Sequence, residues 1–124
     1  MARLTDPEIL ARYKQALADW KIAGAVELDK DAHTGLRKTL PGVTVASFKE
    51  ALYRFVCLDN GEIVHKKEDR DSYPCNLWEN LYKLHLSITG VEVFVETRLG
   101  PESFTSRDDP QILVVKVKPE DQRW

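Results

Sequence analysis

Leu81-Tyr82-Lys83-Leu84-His85-Leu86-Ser87-Ile88-Thr89-Gly90-Val91-Glu92-Val93-Phe94-Val95-Glu96-Thr97-Arg98-Leu99 is the stretch that decides the fold. It holds two runs in which apolar and polar residues alternate, and a period of two is the mark of a half-buried strand. Thr89-Gly90 joins the runs closely enough for a hairpin. In the first run Tyr82, Leu84, Leu86 and Ile88 share one face, while Lys83, His85 and Ser87 share the other. In the second, Val91, Val93, Val95 and Leu99 oppose Glu92, Phe94, Glu96 and Arg98. One apolar and one polar face predict an antiparallel sheet that is covered on one side and wet on the other.

The residues on either side extend the pattern. Glu62–Lys67 reads as a strand before the hairpin and Ile112–Lys118 as one after it, with Leu113, Val115 and Val117 opposing Lys116 and Lys118. A charged loop, Glu68–Trp78, and a polar connection, Pro101–Pro110, separate them. Upstream of the turn signal Asp59-Asn60-Gly61 the period changes from 2 to 3.6. Thr44 starts a helix whose buried stripe is Val45, Phe48, Leu52, Phe55 and Val56. Before it, Asp29 or Asp31 caps a helix that runs to about Leu40 with Ala32, Leu36 and Leu40 inward, and Pro41-Gly42 ends it. The first helix opens at Thr5-Asp6-Pro7-Glu8, where Thr5 and Glu8 fit a capping box. It carries Ile9, Tyr13, Ala16, Leu17 and Trp20 inward and closes at Gly24. Ala25 to Leu28 is a short extended segment. The fold class predicted is α+β: N-terminal helices packed on a mainly antiparallel C-terminal sheet, as a single domain over residues 1–124.

Composition agrees with a globular domain, since 43% of the residues are hydrophobic and 31% charged. No apolar run approaches the roughly 18 residues that a membrane helix needs, and the start Met1 to Asp6 is too short and polar for a secretory signal. The expected compartment is the cytoplasm, with no membrane partner. Cys57 and Cys75 are then expected as thiols. With His65 and His85 they make no recognised metal spacing, so no metal and no cofactor is expected. The formal charge of −2 excludes wholesale coating of nucleic acid but leaves room for a local basic site. No phosphate-cradling glycine loop, nucleophile elbow or dinucleotide fingerprint occurs.

The wet face gathers His85, Lys83, Glu92, Glu96, Arg98, Lys116 and Lys118, with Phe94 among them. Cutting RNA without a metal needs a base for the ribose 2′-hydroxyl, an acid for the departing 5′-oxygen and a cation for the phosphorane. An aromatic ring can hold a nucleobase by stacking. Every one of these parts is in the set, and His85 is the natural acid–base group. The same residues are also what any solvated sheet face carries, where opposite charges pair across strands. Lys66, Lys67 and Arg70 form a short basic cluster that Glu68, Asp69 and Asp71 offset.

Trp78-Glu79-Asn80-Leu81-Tyr82 leading into a strand, then Thr89-Gly90 and a second alternating strand, then Ile112–Lys118, resembles the motility quorum-sensing regulator toxins, mRNA interferases of the wider RelE-like class. The order of helices, with Ala23-Gly24-Ala25-Val26 after the first, is similar too. The resemblance covers most of the chain in order and spacing, and little of it in identity. It implies a metal-independent mRNA endoribonuclease that inhibits translation and is silenced by a cognate antitoxin protein. It also implies site residues. Lys67 stands eleven positions before Trp78, where the family has a lysine, and Lys118 fits the family's lysine on the last strand. Glu79 occupies the family's glutamine position, and Phe94 is the aromatic nearest to the family's tyrosine, one position out of register. Tyr82 or His85 is left to supply the acid. The expected catalytic set is therefore Lys67, Glu79, Tyr82, His85 and Lys118, with Lys66, Arg70, Lys83, Phe94, Arg98 and Lys116 binding RNA. Two other functions fit the same sequence: a non-catalytic protein-binding or regulatory module on this fold, and a different small hydrolase using His85 with Glu92 or Glu96.

Overall fold

Each helix begins where a side chain takes up orphan backbone amides. The computed structural model describes residues 2–67, 80–100 and 110–119. Helix α1 (Pro7–Ala18) is capped by Asp6, whose Oδ1 accepts from the amides of Glu8 at 3.0 Å and Ile9 at 3.2 Å. The expected Thr5–Glu8 box does not form. Pro7 holds the residue before it in an extended conformation, which makes Asp6 the cap. Helix α2 (Lys30–Thr39) is capped by Asp29, which accepts from the Ala32 amide at 2.9 Å. Helix α3 (Val45–Tyr53) is capped by Thr44, which accepts from the Ser47 amide at 3.0 Å. A π-helical turn, Arg54–Leu58, continues α3. The chain then reverses through Asn60 in a left-handed conformation (φ 55°), as Asp59-Asn60-Gly61 led one to expect.

The sheet has six strands: β1 (Ala2–Arg3), β2 (Val26–Leu28), β3 (Val64–Lys67), β4 (Asn80–Ile88), β5 (Val91–Gly100) and β6 (Gln111–Pro119), in the order β1-β3-β4-β5-β6-β2. All neighbours are antiparallel except β2 and β6, which run parallel. The α+β class and the four C-terminal strands are as the alternation indicated. The two short edge strands come from the N-terminal half. At the hairpin tip Thr89 and Gly90 both have positive φ (52° and 83°), the backbone of a type I′ turn, whose twist suits the strands it joins.

The helices cover one face of the sheet. Tyr13, Ala16, Leu17, Leu36, Phe48, Leu52 and Val56 meet Tyr82, Leu84, Leu86, Ile88, Val93 and Val95 in one core cluster. Burial of a side chain such as Phe48 or Leu52 contributes about 1.5–3 kcal/mol. Helix α2 lies so close to β6 that a Cβ at Gly35 would come within 2.3 Å of the Val117 carbonyl oxygen, so only glycine fits there.

One expectation about β6 is corrected. Glu96 pairs with Lys116 but Thr97 pairs with Val114, so Val115 is an extra residue in β6. This β-bulge changes the phase of the strand. Ile112, Val114 and Val117 face the helices, and Leu113, opposite Arg98, faces away.

Candidate functional site

The register of β4, β5 and β6 sets the outer face, the one turned away from the helices, as rows of side chains. His85, Phe94 and Lys118 form one row. Lys83, Glu96 and Lys116 form the next, and Ser87 with Glu92 lies nearer the hairpin turn. The I′ turn makes Ile88–Val91 a hydrogen-bonded pair, so by alternation His85–Phe94 is a non-hydrogen-bonded pair, in which side chains approach more closely. Accordingly the His85 imidazole stacks on the Phe94 ring, with centroids 4.3 Å apart and planes at 14°. From its diagonal position Glu92 brings Oε1 to 3.3 Å from His85 Nε2. Both side chains are about half exposed, at 44% and 45%. Lys118 stands opposite Phe94 on the other side, placing its Cβ about 10 Å from that of His85, two cross-strand spacings away. A titratable base, a carboxylate that orients it, an aromatic ring and a cation thus share one accessible patch.

The far half of the same face is different. Leu81, Lys83, Arg98 and Val115 are all buried, Arg98 at 1% exposure and Lys83 at 6%. Both cations were expected in solvent as RNA contacts. They are on the expected face, but alternation fixes only which face a side chain joins, not whether that face is covered. Lys116, by contrast, is exposed.

Tyr82 lies on the helix-facing side and is a core residue, so it cannot share a site with His85. Its ring stacks on His65 at 5.1 Å and lies 5.7 Å from that of Tyr13. Burial pushes its hydroxyl above the usual tyrosine range, and the nearby Asp6 charge adds to this. Beneath the bulge, the Thr97 hydroxyl donates to the Tyr82 carbonyl oxygen at 2.7 Å. Tyr13, its own hydroxyl driven well above the usual range by complete burial, donates to Thr97 at 2.7 Å. Sequence reasoning missed this network, because a threonine in an alternating strand shows no sign of being fully enclosed.

Lys67 ends β3 opposite Asn80, five residues along β4 from His85, or roughly 17 Å at strand rise. The two lysines that the resemblance pairs, Lys67 and Lys118, are therefore at different ends of the sheet. Lys66 pairs with Leu81. Glu79 and Arg70 lie outside the described residues, as do Trp78 and Cys75. His65 and His85 are on opposite faces, and Cys57, half-buried, has its thiol raised by burial and directed to the Lys14 carbonyl at 3.6 Å. Among the described residues no group of three or more His, Cys, Asp or Glu side chains is placed to hold a metal ion. Nor is any described helix long and apolar enough to cross a membrane.

No family model, curated protein or solved structure matches the chain.

Proposed function

We propose that this chain is a metal-independent endoribonuclease of the toxin type, which cuts single-stranded mRNA on the outer face of its sheet and so inhibits translation. The observation that carries the reading is the His85 imidazole stacked on Phe94, held by Glu92 and in register with Lys118. On it, His85 removes the proton from a ribose 2′-hydroxyl. The 2′-oxygen attacks phosphorus and the bond to the 5′-oxygen breaks, leaving a 2′,3′-cyclic phosphate and a 5′-hydroxyl. Glu92 fixes the ring and stabilises the imidazolium that forms. Lys118 sits across Phe94 to stabilise the phosphorane and protonate the leaving oxygen, with Lys116 as a second cation for the chain's phosphates. Phe94 favours an unpaired base, since a base within a duplex cannot stack on a side chain.

The resemblance to the motility quorum-sensing regulator toxins supports this reading and adds a cytoplasmic setting, a cognate antitoxin and roles for Lys67 and Glu79. The site described here relies on His85 and Lys118 instead. The burial of Lys83 and Arg98 favours a second reading, a non-catalytic protein-binding module that keeps the fold. Induced expression in a growing bacterial host separates the two. Growth arrest with new, sequence-clustered mRNA 5′ ends is expected for the ribonuclease. Normal growth and unchanged RNA at confirmed protein levels would select the binding module.

A further inference from the structure

The second feature of note is a cleft of about 440 Å³ at the edge of β4, beyond the hairpin half of the sheet. Leu86, Ser87, Ile88 and Thr89 all line it. Side chains of consecutive strand residues point to opposite faces, so Leu86, Ser87 and Ile88 can line one cleft together only if the strand's edge faces it. The pairing explains why that edge is open. β3 pairs with β4 only as far as Lys83, and among the described residues no strand continues alongside 84–88 on that side. The I′ turn fixes what the edge presents. Ile88–Val91 is hydrogen-bonded, so the Ser87 amide and carbonyl point away from β5 and into the cleft. The opposite wall is α3, its π turn and the segment leading into α3, whose apolar lining is Val43, Ala51 and Phe55.

The geometry points to a seat for one extended peptide segment of a partner protein, added to β4 as a further strand. An open strand edge is a template for such pairing. The pocket of Val43, Ala51 and Phe55 takes one apolar side chain of the segment. Glu50 and Asp59 set two carboxylates in the cleft against one guanidinium, Arg54, itself held by Glu50 at 2.9 Å. That balance suits a segment carrying Lys or Arg and opposes a phosphate backbone. The seat is independent of the ribonuclease reading. A segment lying against Ser87 would end two residues from His85, about 7 Å along the strand, and so border that site.

The test uses eight-residue peptides selected from a random phage-displayed library on the full chain, each then measured by titration calorimetry. Binding is expected to weaken at least tenfold with Ser87→Pro, which removes the amide facing the cleft. Ala51→Arg, which fills the pocket from the helix side, is expected to abolish it. Should Ser87→Pro not fold, the peptide itself reports: N-methylation of alternate amides is expected to abolish binding in one phase and leave it intact in the other. Three results would overturn the proposal: no peptide recovered, peptides indifferent to both substitutions and to methylation phase, or a short single-stranded oligoribonucleotide that displaces them from the cleft.

Discussion

The two halves of the outer sheet face share one alternation and have opposite fates. Near the hairpin, His85, Ser87, Glu92 and Lys116 are exposed and Phe94 and Lys118 partly so. Toward the other end, Leu81, Lys83, Arg98 and Val115 are closed off. Polar residues in a strand thus divide into those that stay exposed and those that are enclosed with their charge, and the division runs through the row of Lys83, Glu96 and Lys116, where Lys83 is buried and Lys116 exposed. The open half carries the site proposed for RNA cleavage. The closed half carries stability, since a buried cation is tolerated only where its surroundings compensate it.

Substitutions can break this contrast. Arg98→Ala is expected to have the largest effect, a loss of about 3 kcal/mol in denaturant unfolding, because it truncates a large buried cation and strands whatever compensates it. A loss below about 0.5 kcal/mol would mean that the closed half is not closed in solution. Thr97→Val removes the hydroxyl that serves both Tyr13 and the Tyr82 carbonyl, and about 2 kcal/mol should be lost at neutral pH. The same network sets a pH dependence. Burial holds the Tyr13 and Tyr82 hydroxyls above the ordinary tyrosine value of about 10, so the folded chain keeps protons that the unfolded chain releases. Their stabilising contribution is complete below that value and is lost as pH rises past it, by up to about 1.4 kcal/mol per pH unit for each tyrosine. Tyr13→Phe should flatten this alkaline limb in urea titrations between neutral pH and pH 11. Lys116→Ala, on the open half, is expected to leave the unfolding midpoint where it is.

Much of this architecture could be read from residues. Asp59-Asn60-Gly61, Thr89-Gly90 and the alternation around them locate the strands, and Asp29 and Thr44 mark two helix starts. The phase of β6 could not be read. Ile112-Leu113-Val114-Val115 is apolar throughout, so either phase buries a β-branched or aliphatic residue and no polar position fixes the register. Ala2–Arg3 and Val26–Leu28 are too short to carry a period, and they become strands only because β3 and β6 offer edges to pair with. For the site, alternation assigned His85, Phe94 and Lys118 to one face, and the register then made them one row. The same alternation misled for Lys83 and Arg98, since two polar residues in a strand look alike whether water or protein lies over them. The open edge beside Ser87 was invisible for a related reason: it depends on where β3 stops, which is a property of the pairing and not of β4 itself.

The most direct test of the account is cleavage of a single-stranded RNA by the purified chain in EDTA, with fragment ends identified by mass spectrometry and His85→Gln run alongside at matched unfolding midpoint. The expected result is fragments ending in 2′,3′-cyclic phosphate from the unaltered chain, and a rate at least 100-fold lower in the variant. An unaltered chain that leaves the RNA intact, or a His85→Gln chain that cuts at the same rate, would contradict it.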